Sequence, residues 1–228
     1  MFAVLTLVGV VLVLMMFATQ RRELLSRRPP LRAFFPPVSI LKPLKGVDPT
    51  LEKNHESYIR HHITEEEIKK QKQAAKDPAG DGARRVQERP THVPATLVIV
   101  DGEVGFNPKV NNLAGILPHA RHELVLISDS NVAVGPSMLS HMVERLSADN
   151  VGLVTSFIRG VGGRGLGGAL ESLQLNTFVM GGVAAVSSVL GEVCAVGKSM
   201  LMRRRDLERL GGCVELGRYL AEDQVCAE

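Results

Sequence analysis

The first eighteen residues, Met1–Ala18, form an apolar run broken only by Thr6 and Gly9. A helix of that length rises roughly 27 Å at ~1.5 Å per residue, close to the thickness of a bilayer's hydrocarbon core. A cleavable signal peptide is the rival reading. It wants a positive start, a shorter apolar core and a small-x-small cleavage site, and "MMFATQRR" supplies none of them cleanly. The run therefore reads as a retained transmembrane anchor over residues 1–19. Arg21, Arg22, Arg27, Arg28 and Arg32 come after it, opposed only by Glu23. Arginines beside a span stay in the cytosol, so a single-pass anchor with the rest of the chain facing the cytosol is expected. Pro29, Pro30, Pro36 and Pro37 stiffen this basic segment, and residues 20–37 read as a linker off the membrane.

Residues 38–228 are enough for one sizeable domain. With 22 glycines, 12 prolines, no tryptophan and many aliphatic residues, the composition suits an α/β domain. The net charge of +3 carries no nucleic-acid signal. Cys194, Cys213 and Cys226 are odd in number and lack C-x-x-C spacing, which argues against a disulfide framework or a zinc site.

Apolar strand-like runs recur at Val38–Leu44, Ala95–Gly102, His122–Ser130 and Val151–Ile158. Asp48-Pro49 looks like a helix start, with the helix expected over Thr50–Ile59. Pro136–Ala148 has apolar residues at helical spacing, and Ser199–Gly212 reads as a strand, a short basic helix and a glycine stop. Strands alternating with helices imply a largely parallel sheet covered on both faces, with ligands at the carboxyl ends of the strands. Two stretches depart from this order. Residues 60–92 form a polar segment in which "TEEEIKKQKQAAK" predicts a solvated helix with Glu65–Lys69 and Glu66–Lys70 pairs, and no buried strand. Thr177–Gly197 is apolar enough for a span, but four glycines make a buried or membrane-surface segment the preferred reading.

Three constellations could carry chemistry. "LISDSN" ends a strand on Asp129, either a turn former or a hard oxygen ligand for Mg²⁺ or Mn²⁺ on a diphosphate. "GVGGRG" (Gly160, Gly162, Gly165) matches a dinucleotide fingerprint, but the acid expected about 20 residues on is absent. "YLAEDQ" places Glu222 beside Asp223, either a solvated helix face or a general base opposite Asp129.

Taken in order, "PPVSILKPLKGVDPTLEKNHESY", "VGFNPKVNNLAG", "ELVLISDSNVAVGPSML", "VGLVTSF", "AVGKSMLMRRRDLERLGG" and "YLAEDQ" resemble the ceramide glucosyltransferases, over about residues 36–58 and 93–228. The resemblance implies an α/β, GT-A-like fold (Rossmann-like, a mostly parallel sheet flanked by helices) behind an N-terminal transmembrane helix. It implies inverting transfer of glucose from a UDP-sugar donor, UDP-glucose, to the primary hydroxyl of ceramide or a similar lipid acceptor at the membrane, with a divalent cation (Mg²⁺ or Mn²⁺). By the same resemblance Asp129 is the metal and UDP-sugar ligand and Asp223 the catalytic base. Lys109 is a phosphate or uridine contact, and Asp77 or Asp81 stands in for the family's first aspartate.

Two departures qualify this. The family's second strand is expected where residues 60–92 are polar, and its (Q/R)-x-x-R-W motif does not occur in the 228 residues. The expectation is therefore an incomplete GT-A-like domain over residues 38–228, descended from such an enzyme but reduced in activity. The alternative is a membrane-anchored, non-catalytic binding or scaffold remnant.

Overall fold

The computed structural model describes residues 2–25, 36–44, 50–59, 66–73, 95–100, 102–163, 165–191 and 194–227. In chain order the elements begin with helix α1 (Phe2–Leu25), strand β1 (Val38–Lys42), helix α2 (Leu51–Ile59) and strands β2 (Glu66–Gln73) and β3 (Ala95–Val100). Helix α3 (Pro108–Ile116), strand β4 (Leu124–Ser128), helix α4 (Met138–Leu146) and strand β5 (Leu153–Thr155) come after them. A long helix is next: α5 (Gly165–Gln174), a π-helical turn (Leu175–Val179), α6 (Met180–Ala185) and a second π-helical turn (Val186–Leu190). Strand β6 (Ser199–Arg203) and the short helices α7 (Arg204–Arg209), α8 (Gly212–Leu216) and α9 (Glu222–Val225) complete the order.

The chain divides into two compact units, Met1–Pro29 with Phe157–Cys194, and Pro30–Ser156 with Ala195–Glu228. This differs from the expected division at residues 19 and 37. Helix α1 runs on to Leu25, and residues 157–194 group with it rather than with the sheet.

The second unit is built on a six-stranded sheet of order β3-β2-β1-β4-β6-β5. Strands β1 to β4 pair in parallel, and β6 runs antiparallel to both its neighbours. Alternation along the strands sorts side chains to two faces. Val38, Ile40, Leu126 and Leu201 pack with Tyr58 of α2 and with Leu139, Met142, Val143 and Leu146 of α4. Leu41, Val125, Ile127, Met200 and Met202 face the other way, against Val110, Leu113 and Ile116 of α3 and Leu207 and Leu216 beyond it.

Strand β2 overturns the expected solvated helix. Glu66–Gln73 lies between β1 and β3, with Ile68 opposite both Ile40 and Ala95. Its Glu-to-Lys pairs are worth only about 0.2–0.5 kcal/mol each. A strand here pairs the backbone edges of two apolar neighbours, and backbone pairing does not depend on side-chain identity. The ladder outweighs the local pattern.

In the first unit, α1 and the continuous helix Gly165–Leu190 are both long and apolar enough to cross a membrane. Residues 177–190 are helical in spite of the glycines expected to weaken a helix there. The small residues let helices approach: a Cβ on Gly181 would lie 3.3 Å from the Met16 side chain. Gln20 Nε2 donates to the Asn176 carbonyl at 2.6 Å, a polar clasp between the two helices. Two of the "GVGGRG" glycines serve packing, while Gly162 and Gly165 adopt positive φ. Gly160 pairs through its N–H and C=O with the Asn176 side chain, and a Cβ on Gly163 would sit 2.2 Å from the Gly168 carbonyl oxygen.

Leu126 is fully buried at the centre of the sheet. Leu126→Ala is expected to cost about 2–5 kcal/mol in urea unfolding of detergent-solubilised protein. A loss below about 1 kcal/mol would contradict this packing.

Candidate active site

The carboxyl ends of β1 and β4 end in polar residues that the sheet buries. Lys42, the last residue of β1, is fully buried, and its Nζ donates to the Asp129 carbonyl at 2.9 Å and lies 4.0 Å from the Tyr58 ring centroid. Tyr58 Oη hydrogen-bonds Ser128 Oγ at the end of β4. Burial pushes the phenol up to about 12, helped by the Asp129 charge and opposed by the Ser128 and Ser199 hydroxyls, so it stays neutral. These groups form a rigid floor beneath Asp129.

The turn after β4 is closed by backbone groups rather than by the Asp129 carboxylate. Val132 N donates to the Asp129 carbonyl, and Asn54 Nδ2 donates to the Ser130 carbonyl at 3.1 Å. The carboxylate points into an ion-pair cluster. Its Oδ1 lies 3.1 Å from Lys109 Nζ and its Oδ2 2.9 Å from Lys198 Nζ. Of the two roles open to the aspartate in "SDSN", the strand end presents a carboxylate.

Helix α3 supplies Lys109. Asn107 caps it, its Oδ1 accepting from the N–H groups of Lys109 and Val110, with Pro108 at the first helical position. Asn107 Nδ2 donates to Glu222 Oε2 at 2.7 Å and to the Tyr219 and Leu220 carbonyls. One asparagine thus starts the helix and ties the segment before α9 to it. Lys109 Nζ reaches Glu222 Oε1 at 2.9 Å and the Gly197 carbonyl at 2.8 Å. Burial lowers the Lys109 pKa, but the Asp129 and Glu222 carboxylates more than offset it, and the net direction is upward. Burial likewise raises Asp129, and Lys109 and Lys198 outweigh it to hold the carboxyl below its ordinary range.

Asp223 joins through the loop before β6. Its Oδ2 accepts from the Gly197 N–H at 3.0 Å, and a Cβ on Gly197 would lie only 2.8 Å from that oxygen. Lys198 then accepts through its carbonyl from Asp129 N and Ser128 Oγ. The dipeptide Gly197-Lys198 therefore touches Asp129, Lys109 and Asp223. Because β6 is antiparallel, with Ser199 opposite Ser128, its entry meets the exit of β4.

Of the site residues expected from sequence, Asp129, Lys109 and Asp223 come together. Asp77 and Asp81 lie outside the described residues. Glu222 is buried and spent on Lys109 and Asn107, which separates it from Asp223. Sequence reasoning missed Asn107 and Lys198. Asn107-Pro108 carried a readable signal, the same cap-plus-proline pattern as Asp48-Pro49; Lys198 carried none.

A mixed sheet flanked by helices, with carboxylates at the strand ends, is the architecture of GT-A glycosyltransferases, and solved members superimpose on it. A mannosyltransferase from Pyrobaculum calidifontis, solved with GDP-Man and Mn²⁺, matches 92% of this chain and 57% of its own at a TM-score of 0.63 and 22% identity. Staphylococcus aureus TarS, solved with UDP-GlcNAc, matches 83% and 52% at 0.53 and 15%. These likenesses concern the fold. The chain belongs to glycosyltransferase family 21, whose model matches residues 1–228. Ceramide glucosyltransferase 1 of Caenorhabditis elegans is 31% identical over 194 residues, 85% of this chain and 41% of that protein. The ceramide glucosyltransferase of Komagataella phaffii is 29% identical over 75% of this chain and 38% of its own length. The chain spans about two-fifths of the curated relatives it matches.

The Asp129 ion pairs carry a pH signature. A carboxylate lowered on folding adds stability that is complete above its unfolded value near 3.9 and lost as pH falls through the lower folded one. Lys109, raised on folding, adds stability that is complete below about 10.5 and lost at higher pH. The unfolding free-energy difference between wild type and Asp129→Asn is expected to be flat from pH 7 to 5 and to shrink below about pH 4. A difference that stays constant through pH 3 would contradict the ion pairing.

Proposed function

We propose that this chain belongs to an inverting glycosyltransferase that moves glucose from UDP-glucose to the primary hydroxyl of ceramide or a related lipid alcohol. The observation carrying this reading is the meeting of Asp129 and Asp223 on Gly197-Lys198 at the strand ends. The names of the curated relatives support the choice of donor and acceptor.

Among the described residues no group of three His, Cys, Asp or Glu could hold a metal ion. A divalent cation still fits this chemistry, because Mg²⁺ or Mn²⁺ on a diphosphate takes one or two protein carboxylates and fills its shell with phosphate oxygens and water. Asp129, kept ionised by its two lysines and about a quarter exposed, is suited to supply that carboxylate. Such a cation neutralises the charge that develops on the departing diphosphate.

Asp223 Oδ1 or Oδ2 takes the proton from the acceptor hydroxyl as that oxygen bonds to the sugar's anomeric carbon. The bond from that carbon to the diphosphate breaks on the opposite face, and UDP leaves with the electron pair. The gain from a positioned base is about 10²–10⁴-fold. Helix α1 and the helix Gly165–Leu190 are suited to hold the chain in the bilayer where a lipid acceptor resides, with Arg21 and Arg22 on the cytosolic side. The second helix makes no further pass in this reading, because β5 before it and β6 after it pair in one sheet and so stay on the same side of the bilayer. The single pass expected from sequence is kept.

The test is transfer of labelled glucose from UDP-glucose to ceramide by the detergent-solubilised chain with Mn²⁺ or Mg²⁺. Asp223→Asn is expected to bind UDP-glucose like wild type and to lose at least about 100-fold in transfer. Asp129→Asn is expected to lose metal-dependent donor binding. A folded protein without transfer, whose donor binding ignores Asp129→Asn, would instead be a non-catalytic anchored module.

A further inference from the structure

The two lysines on Asp129 are not equivalent. An ammonium group has three N–H donors and no acceptor. Lys109 has spent all three, on Asp129, Glu222 and the Gly197 carbonyl. It is a strut, with nothing left for a ligand while the cluster holds. Lys198 spends two, on Asp129 Oδ2 and on Asn131 Oδ1 at 3.3 Å. Its third N–H has no partner among the described residues, and its side chain is 38% exposed.

The anchor of that side chain is fixed. The Lys198 carbonyl accepts from Asp129 N and Ser128 Oγ, and the residue before it is held by Asp223 and Lys109. Only the flexible stem and its charge are free to move. A lysine meets a phosphate as a mobile point charge rather than as a fixed fork.

We propose that Lys198 is a ligand of the donor's diphosphate, held ready on Asp129 until the donor arrives. The proposal rests on the reading of this cluster as a donor site and adds a residue that reading does not require. Asp129 would supply a carboxylate oxygen to a divalent cation arriving with the donor, and its Oδ2, held by Lys198, is the oxygen not locked by the saturated Lys109. The Lys198 ammonium, released from Oδ2, would then be free to pair with the donor's phosphate charge. If Lys198 were only a counter-ion of Asp129, it would compete with the incoming cation. Its removal would then strengthen donor binding, so the two roles differ in sign.

Calorimetric titration of the full detergent-solubilised chain with UDP in saturating Mn²⁺ reads that sign, with uridine binding followed by saturation-transfer NMR. Lys198→Met keeps the apolar stem and removes the charge. It is expected to weaken UDP binding at least about tenfold, as loss of a hydrogen bond to a charged group does, and to leave uridine binding unchanged. Lys198→Arg is expected to recover most of the loss. Equal or tighter UDP binding by Lys198→Met overturns the proposal, and so does an equal loss for uridine, which would mark a general structural defect. If wild type binds UDP and Asp129→Asn does not while Lys198→Met is unaffected, this inference alone falls. If wild type binds no UDP, the donor-site reading falls and takes this inference with it.

Discussion

The Lys109 ammonium is the interaction on which the site depends. It joins the end of β4, the loop before β6 and the start of α9 through one nitrogen with three acceptors. Two carboxylates brought this close repel each other, and a buried charge without a partner is costly. One cation between Asp129 and Glu222 removes both difficulties. Asn107 then fixes Lys109 from below by capping its helix and fixes Glu222 from the side. Catalytic and binding side chains need such support, because a loosely held carboxylate gives up the positioning on which its chemistry rests.

The sheet supplies the frame for that cluster. Parallel strands put their carboxyl ends on one side, and the single antiparallel strand β6 sends the loop Gly197-Lys198 to the same side. Both faces of β1, β4 and β6 are packed by helices, so the strand ends cannot slide. Lys42 and Tyr58 continue the core up to the floor of the site with polar groups that are paired rather than solvated. Apolar packing thereby becomes a fixed orientation for Asp129.

Much of this frame was legible in the chain. The runs at β1, β3, β4 and β6 and the periodicity of α4 carry their own period, and each formed where its pattern placed it. Asp129 stood out because an apolar strand ended on it. Strand β2 was illegible because its residues favour a solvated helix locally, while its pairing is imposed by β1 and β3 from distant parts of the chain. The helix Gly165–Leu190 was obscured by glycines whose use is helix contact. Glu222 and Asp223 look alike in sequence. The start of α9 turns one toward Lys109 and the other toward Gly197, and only the packed segment separates them. Lys198 obeys no local pattern, since what places it at Asp129 is the antiparallel direction of β6.

The central claim is that Lys109 couples the carboxylates of two distant segments through one shared charge. A double-mutant cycle on Lys109→Met and Glu222→Gln, read by urea unfolding of the detergent-solubilised chain at pH 7, measures that coupling. The account requires the two losses to be non-additive, with an interaction energy of about 1–3 kcal/mol. Losses that add within about 0.5 kcal/mol would show that Lys109 and Glu222 act independently, and the site would need a different foundation.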